Sequence, residues 1–324
     1  MDGHEVSEIL HCDPRELQGA PCHVFGIAFS LSGQVLATAD PSGTVKCWRR
    51  EANFWKVRHT LQMDPAQRPN EVSAVSVFVT SDDEFVLGCS RNSTAIRMWD
   101  VESGEQVAEF EGQLGERFVE AALSPDDRTL VGVYHSNTLE GIVVWDVASR
   151  KLRHRIPLTP NALLDVVFSP DGRYLGCATN EGVIVLESSS FERVLASRGD
   201  FLLSLCFSPD GRTLALPSRH SRTIRLWNLD TFRETASLSM SDDPLAAFFS
   251  DGGSKLVGLS ATQVRTWNLR SVGDKISLPG HAATVNRVAF SPDGKVLASS
   301  GQDQVLQLAD AATGKPLSVI SGFR

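Results

Sequence analysis

A chain of 324 residues with 42% hydrophobic and 22% charged side chains has an ordinary globular composition, with apolar mass for a large core. Its net charge of −8 excludes a global electrostatic attraction to DNA or RNA. No run approaches about 18 apolar residues, and MDGHEVSEIL lacks a basic region followed by an apolar one, so neither a membrane-spanning helix nor a signal peptide is expected.

Taken in order, residues 1–23 are an irregular start in which Glu5–Leu10 is a candidate ring-closing strand. Residues 24–324 then repeat one pattern seven times, most clearly in Phe201–Leu229. That stretch runs from an apolar segment ending at Phe207 through Ser208–Gly211 to a second apolar run, Thr213–Leu216. A polar break, Ser218–Arg222, precedes an alternating run, Thr223–Leu229, that holds Trp227. Pro209 presets φ, Asp210 can bond its own turn, and Gly211 tolerates positive φ, so the stretch reads as three strands joined by turns.

The turn is anchored at Gly33, Asp83, Asp127, Gly172, Gly211, Gly253 and Gly294, with gaps of 50, 44, 45, 39, 42 and 41 residues. Three residues on come Leu36, Val86, Leu130, Leu175, Leu214, Leu256 and Leu297, an unbroken aliphatic column. The third strands end in Trp48, Trp99, Trp145, Leu186, Trp227, Trp267 and Leu308, each with a β-branched residue three positions earlier. More polar fourth strands are predicted at Trp55–Leu61, Glu105–Phe110, Lys151–Ile156, Arg193–Ser197, Glu234–Leu238, Lys275–Leu278 and Pro316–Ile320. A four-stranded sheet of about 43 residues cannot bury both faces alone, whereas seven stacked radially can. The prediction is all-β: a seven-bladed β-propeller of four-stranded antiparallel blades, one domain over residues 24–324.

The turns and the strand endings Met98–Asp100 (MWD), Val144–Asp146 (VWD), Leu226–Asn228 (LWN) and Thr266–Asn268 (TWN) resemble the WD40 repeat family, over about residues 24–320. The resemblance implies a propeller used as a platform for other proteins. It also implies a His–Asp–Ser/Thr–Trp hydrogen-bond network in each blade. Here a Gly-His occurs once, at Gly280-His281, and Asp303 stands one residue nearer the strand end than the family pattern. No blade has the full set, so the repeats are degenerate, bacterial-style copies in which His281 and Asp303 are read as structural. Trp48, Trp99, Trp145, Trp227 and Trp267 are assigned to the core, while Lys46, Arg97, Arg225 and Arg265 either lie between blades with paired charges or snorkel outwards. Glu5–Leu10 and Pro316–Ile320 compete to close the last blade.

In this topology the fourth-to-first and second-to-third strand loops share one rim, where binding residues concentrate. Arg219, His220 and Arg222 sit in such a loop, with Arg198 in a loop leading into the same blade. They could receive an acidic peptide or a phosphate, pair with Asp242 and Asp243, or simply be solvated. His135, Asn137 and Glu140, in the loop Tyr134–Gly141, and Arg68, in the excursion Met63–Glu71, are further candidates. Both could equally be ordinary loop variation.

Catalytic motifs are absent from the sequence: there is no metal-ligand spacing, Gly-x-Ser-x-Gly, P-loop or dinucleotide fingerprint. A propeller hydrolase or lactonase would need acids at the channel ends of first strands, where only Glu120 and Asp165 stand out. The expected function is therefore non-catalytic binding of a protein or peptide, acidic in character, with no cofactor, metal, nucleic acid or membrane. Cys47, Cys89, Cys177 and Cys206 lie in strand-like runs as free thiols, which argues for the cytoplasm; a bridge between Cys12 and Cys22 stays open.

Overall fold

The computed structural model describes residues 26–321 except 41–42, 52–53, 64–74, 91–92, 137–139, 159–162, 199–201, 203, 262–263, 270–274, 278–284, 291–295, 302–304 and 311–314. The chain divides into two compact units, Met1–Pro160 and Asn161–Arg324. Each sequence repeat forms one four-stranded antiparallel sheet, and the seven sheets are the blades of a seven-bladed β-propeller.

The first unit holds three sheets: β1 (Gly26–Phe29), β2 (Val35–Ala39), β3 (Thr44–Glu51) and β4 (Phe54–Gln62); β5 (Val75–Val79), β6 (Phe85–Ser90), β7 (Ala95–Asp100) and β8 (Gln106–Glu111); β9 (Arg117–Leu123), β10 (Thr129–His135), β11 (Glu140–Asp146) and β12 (Lys151–Leu158). The second holds four: β13 (Leu163–Phe168), β14 (Tyr174–Thr179), β15 (Gly182–Glu187) and β16 (Arg193–Arg198); β17 (Cys206–Phe207), β18 (Thr213–Ser218), β19 (Thr223–Asn228) and β20 (Arg233–Ser239); β21 (Pro244–Ser250), β22 (Lys255–Ser260), β23 (Val264–Asn268) and β24 (Lys275–Ser277); β25 (Val285–Phe290), β26 (Val296–Gly301), β27 (Val305–Asp310) and β28 (Pro316–Ser321). Strands pair in chain order throughout, so each sheet is a meander.

Every described turn anchor has the same backbone state. Gly33, Asp83, Asp127, Gly172, Gly211 and Gly253 lie at φ 67°, 66°, 59°, 71°, 70° and 87°. Only glycine, and at some cost aspartate or asparagine, adopts this left-handed state routinely, which explains the composition of the column. The residue three positions earlier locks the turn. Ser208 N–H donates to Thr213 O at 2.8 Å, Gly211 N–H donates to Ser208 O at 2.8 Å, and Thr213 N–H donates to Ser208 Oγ at 2.9 Å. Ser208 Oγ–H in turn donates to Asp210 Oδ1 at 2.5 Å, which also accepts from Arg212 N–H at 3.1 Å. Thr80, Ser124 and Ser169 build the same lattice. The two aspartate anchors gain a use that glycine lacks. Asp83 Oδ2 accepts from Ser32 Oγ at 2.6 Å and Asp127 Oδ2 from Ser81 N–H at 2.7 Å, so each ties its turn to that of the preceding sheet.

The residue after Trp99, Trp145 and Trp227 caps the next turn. Asp100 accepts from Ser103 N–H and Oγ at 2.7 and 2.8 Å, Asp146 from Ser149 N–H and Oγ at 2.8 and 2.7 Å, and Asn228 from Thr231 N–H and Oγ1 at 2.8 and 2.9 Å. The short oxygen side chain bonds its own backbone a few residues on.

Between sheets the contact is apolar. Trp99 packs on Val45, Leu61 and Val35 of the first sheet. Trp145 meets Phe110 and Phe118 edge-on, with ring centroids 5.8 and 5.6 Å away. Trp227 joins the cluster with Tyr174 and Val183, and Trp267 that with Ile224 and Leu226. Burying aromatic faces of this size holds neighbouring sheets together, and truncating one costs about 3–5 kcal/mol. Arg97, Arg225 and Arg265 share the tryptophan-bearing face of their strands. Arg97 pairs with Glu109 at 3.0 Å and Arg225 with Glu234 at 3.8 Å, while Arg265 Nη1 donates to Ser239 O at 2.7 Å.

Four details differ from the sequence reading. Within Phe201–Phe207 the strand proper is only Cys206–Phe207, joined by an isolated bridge from Leu202 to Ser218. Arg198 ends β16, paired with Gly182, rather than lying in a loop. His135 and Glu140 are the last pair of the β10–β11 ladder, so the loop there is shorter than Tyr134–Gly141. Finally, the first sheet, which lacks the full His–Asp–Ser/Thr–Trp set, still makes its Trp–Thr link: Trp48 Nε1 donates to Thr38 Oγ1 at 2.7 Å. Pro316–Ser321 occupies the outer-strand place of the last sheet, whereas Glu5–Leu10 and residues 1–23 as a whole lie outside the described residues.

Candidate partner-binding surface

The Arg219–Arg222 turn joins β18 to β19 at the edge of the fifth sheet. Ser218 and Thr223 form the last pair of that ladder, and Ser221 Oγ lies 2.7 Å from both side-chain oxygens, which rigidifies the turn. Arg222 adopts φ 53°, and its carbonyl accepts from Met240 N–H at 2.8 Å. This places its side chain against the loop that leads into the sixth sheet. There Arg222 Nε lies 3.3 Å from Asp243 Oδ1. Arg222 and Asp243 remain 64% and 46% exposed, so water screens the pair and a competing carboxylate has access. Asp242 is held separately, accepting from Ser260 Oγ at 3.4 Å. His220 is exposed and Arg219 half-buried.

On the third sheet, His135 Nδ1 lies 3.8 Å from Glu140 Oε1, both side chains about a quarter exposed, and His135 also faces Arg117 across the β9–β10 ladder. Next to them is a cluster that sequence inspection did not find. Glu116, 7% exposed, binds Arg155 through two contacts of 2.5 and 3.0 Å. The Arg155 guanidinium lies 5.5 Å from the centre of the Tyr134 ring. Burial, then the Glu116 charge, pushes the Tyr134 hydroxyl above its ordinary pKa. Glu116 and Arg155 are 39 residues apart and neither sits in a repeat column, so no local pattern links them. Arg68, His281, Asp303 and Asn137 lie outside the described residues.

The two acids that a hydrolase would need are engaged structurally. Glu120 accepts from the Ser76 hydroxyl and from Ala121 N–H, and Asp165 accepts from Leu205 N–H at 3.2 Å. Glu120 thus braces the first strand of the preceding sheet, and Asp165 the residue just before β17. No group of three or more His, Cys, Asp or Glu side chains among the described residues could hold a metal ion. No helix among them is long and apolar enough to cross a membrane.

A seven-bladed β-propeller with a polar, charged turn surface over apolar blade contacts is the class of protein these features define. The model of the WD domain, G-beta repeat, matches residues 14–49, 190–228 and 274–310. The chain is 28% identical to the WD repeat-containing protein WDS homolog of Arabidopsis thaliana, over 91% of this chain and 57% of that protein. It is 27% identical to the WD repeat-containing protein 26 homolog of the same plant, over 88% of this chain and 48% of that one. With Pre-mRNA-processing factor 19 of Oryza sativa subsp. japonica the identity is 26%, over 90% and 48%. The chain is thus similar to WD repeat proteins over most of its length, with three segments that match the repeat model itself, and it spans about half the length of the curated relatives it matches.

Proposed function

We propose that the protein is a non-catalytic platform that binds a protein or peptide partner, acidic in character, through the turns that its blades display. The observation that carries this reading is the Arg222–Asp243 pair. It is an exposed ion pair on a rigid turn, flanked by Arg219 and His220, from which a partner's carboxylate can displace Asp243. The blade framework supplies rigidity, and affinity comes from a few anchors of this kind. Glu120 and Asp165, bound to neighbouring main-chain and hydroxyl groups, offer no support for a hydrolase. We also place the protein in a reducing compartment, the cytoplasm, because Cys47, Cys89 and Cys177 are buried free thiols.

The test is affinity capture with mass spectrometry, comparing wild type with an Arg219→Glu, Arg222→Glu variant. Loss of acidic partners from the variant is expected. Identical partner sets for both proteins would refute the assignment of this turn, and robust turnover in a lactone and ester hydrolase screen, lost on Glu120→Gln or Asp165→Asn, would refute the non-catalytic reading.

A further inference from the structure

The outer strand of the third sheet combines three features that no other outer strand of the protein shares among the described residues. The first is charge: five of the six residues Arg150, Lys151, Leu152, Arg153, His154 and Arg155 are basic, on a chain of net charge −8. The second is exposure. Lys151, Leu152, Arg153 and His154 are all exposed, so both faces of this stretch are open, whereas exposure along Trp55–Leu61 of β4, the other basic outer strand, alternates. The third is an apolar side chain within the charge: Leu152 is 51% exposed.

Two of these cations are committed. Arg153 pairs with Asp146, and Arg155 with buried Glu116. Arg150 and Lys151 make no ion pair among the described residues. On its inner side β12 pairs with β11 from Lys151 to Leu158, with a bulge at Arg153, and on its outer side no strand follows among the described residues. The outward N–H and C=O groups of a strand edge are a template for another strand. Cations on an edge discourage pairing in general, so the strand that can add here is one whose own charges offset them. Pro157 has no N–H to offer, so the usable edge lies N-terminal to it.

We propose that the β12 edge, from Arg150 to Ile156, is a docking site for an extended acidic peptide that adds as a fifth strand to the third sheet. The partner strand alternates acidic and apolar residues. Its main chain bonds the β12 edge, its carboxylates lie on the face of Lys151, with Arg150 adding positive charge at the turn, and an apolar side chain covers Leu152 on the opposite face. This surface is separate from the Arg219–Arg222 turn, and its occupancy does not depend on that assignment.

The experiment is fluorescence anisotropy with the full chain and a labelled eight-residue peptide of alternating glutamate and valine. An Arg150→Glu, Lys151→Glu variant is expected to bind about tenfold more weakly, since each reversal replaces an attraction with a repulsion. The same peptide N-methylated at alternate backbone nitrogens, on the side that pairs, is expected to lose binding to wild type while keeping its charge. That arm uses unmodified protein, so it decides the matter even where the variant folds poorly. No binding of the parent peptide, equal binding of the N-methylated peptide, equal binding to a well-folded variant, or tighter binding of single-stranded DNA of the same charge would each overturn the proposal. The last outcome would mark a simple polyanion site.

Discussion

The indole nitrogen of Trp48 donates to Thr38 Oγ1 at 2.7 Å, and the positions equivalent to Thr38 on the second, third and sixth sheets hold Gly88, Gly132 and Gly258. The two solutions are physically different. Where the hydroxyl is present, the tryptophan is oriented by a buried hydrogen bond. Where glycine stands, the ring fills the room a side chain would take: a Cβ would meet Trp99 at 3.1 Å, Trp145 at 3.0 Å and Trp267 at 2.8 Å.

Thr38→Val removes the acceptor and leaves a buried N–H unpaired, at a cost of about 1–3 kcal/mol. Equilibrium urea denaturation should show a lower midpoint with the slope unchanged. A midpoint equal to wild type would mean that water or another acceptor replaces the hydroxyl.

Gly132→Ala forces a methyl to 2.9 Å from Phe118 Cε1 and 3.0 Å from Trp145 Cζ3, both in a fully packed cluster. Overpacking of this kind costs about 1–3 kcal/mol. The same substitution at Gly115, an exposed position where a Cβ meets nothing within 4 Å, isolates the backbone effect of φ 87° from crowding. A larger loss at Gly115 than at Gly132 would overturn the packing account.

Arg155→Met strips the buried Glu116 carboxylate of its partner and should cost about 3–5 kcal/mol. Arg222→Met at the exposed Asp243 pair should change stability by less than about 1 kcal/mol. Thermal or chemical denaturation of both variants tests the contrast, because burial alone distinguishes them.

The turn and cap aspartates set the acid limit. Ser208 Oγ–H and Arg212 N–H hold Asp210 below the usual carboxylate range, and the Ser103 and Ser149 N–H and hydroxyl groups do the same for Asp100 and Asp146. A carboxylate with a depressed folded-state pKa contributes stability that is present above its unfolded value, about 3.9, and is lost as pH falls through the folded value. Stability should therefore be level near neutrality and decline below about pH 4. Asp210→Asn should shrink that decline, and a pH series of denaturation midpoints reads it directly.

Burial pushes the Cys47 thiol up to about 11 against the opposing pull of Arg49 and Arg58, and raises Cys89 and Cys177 further. Native protein at pH 7.5 should leave these three unalkylated by iodoacetamide, by peptide mass spectrometry, while unfolded protein reacts at all three. Rapid native labelling of any of them would contradict the packing described.

The repeat was legible in the chain because its signals are local. A left-handed turn position admits Gly or Asp, a ladder position facing a neighbouring sheet demands an aliphatic residue, and both recur at a fixed offset from Gly33 to Gly253. Sheet number, strand order and most strand positions follow from those columns. The roles of Ser208 and Asp146 were visible as letters but not as functions, since the hydrogen bonds that define them appear only once the turn is closed.

The tertiary structure alone decided what each charged residue does. Glu116, just before β9, and Arg155, on β12, are brought together across 39 residues by the folding of one sheet, and of the two candidate partners it is Asp243 that meets Arg222. The basic stretch Lys151–Ile156 reads in sequence as one more outer strand; exposure on both faces and the lack of a further strand among the described residues turn it into an available edge. Amino-acid sequence determined the architecture of this protein because backbone conformation and burial act residue by residue. Its surface chemistry was left to the packing, because an ion pair or an open edge depends on distances that no spacing along the chain encodes.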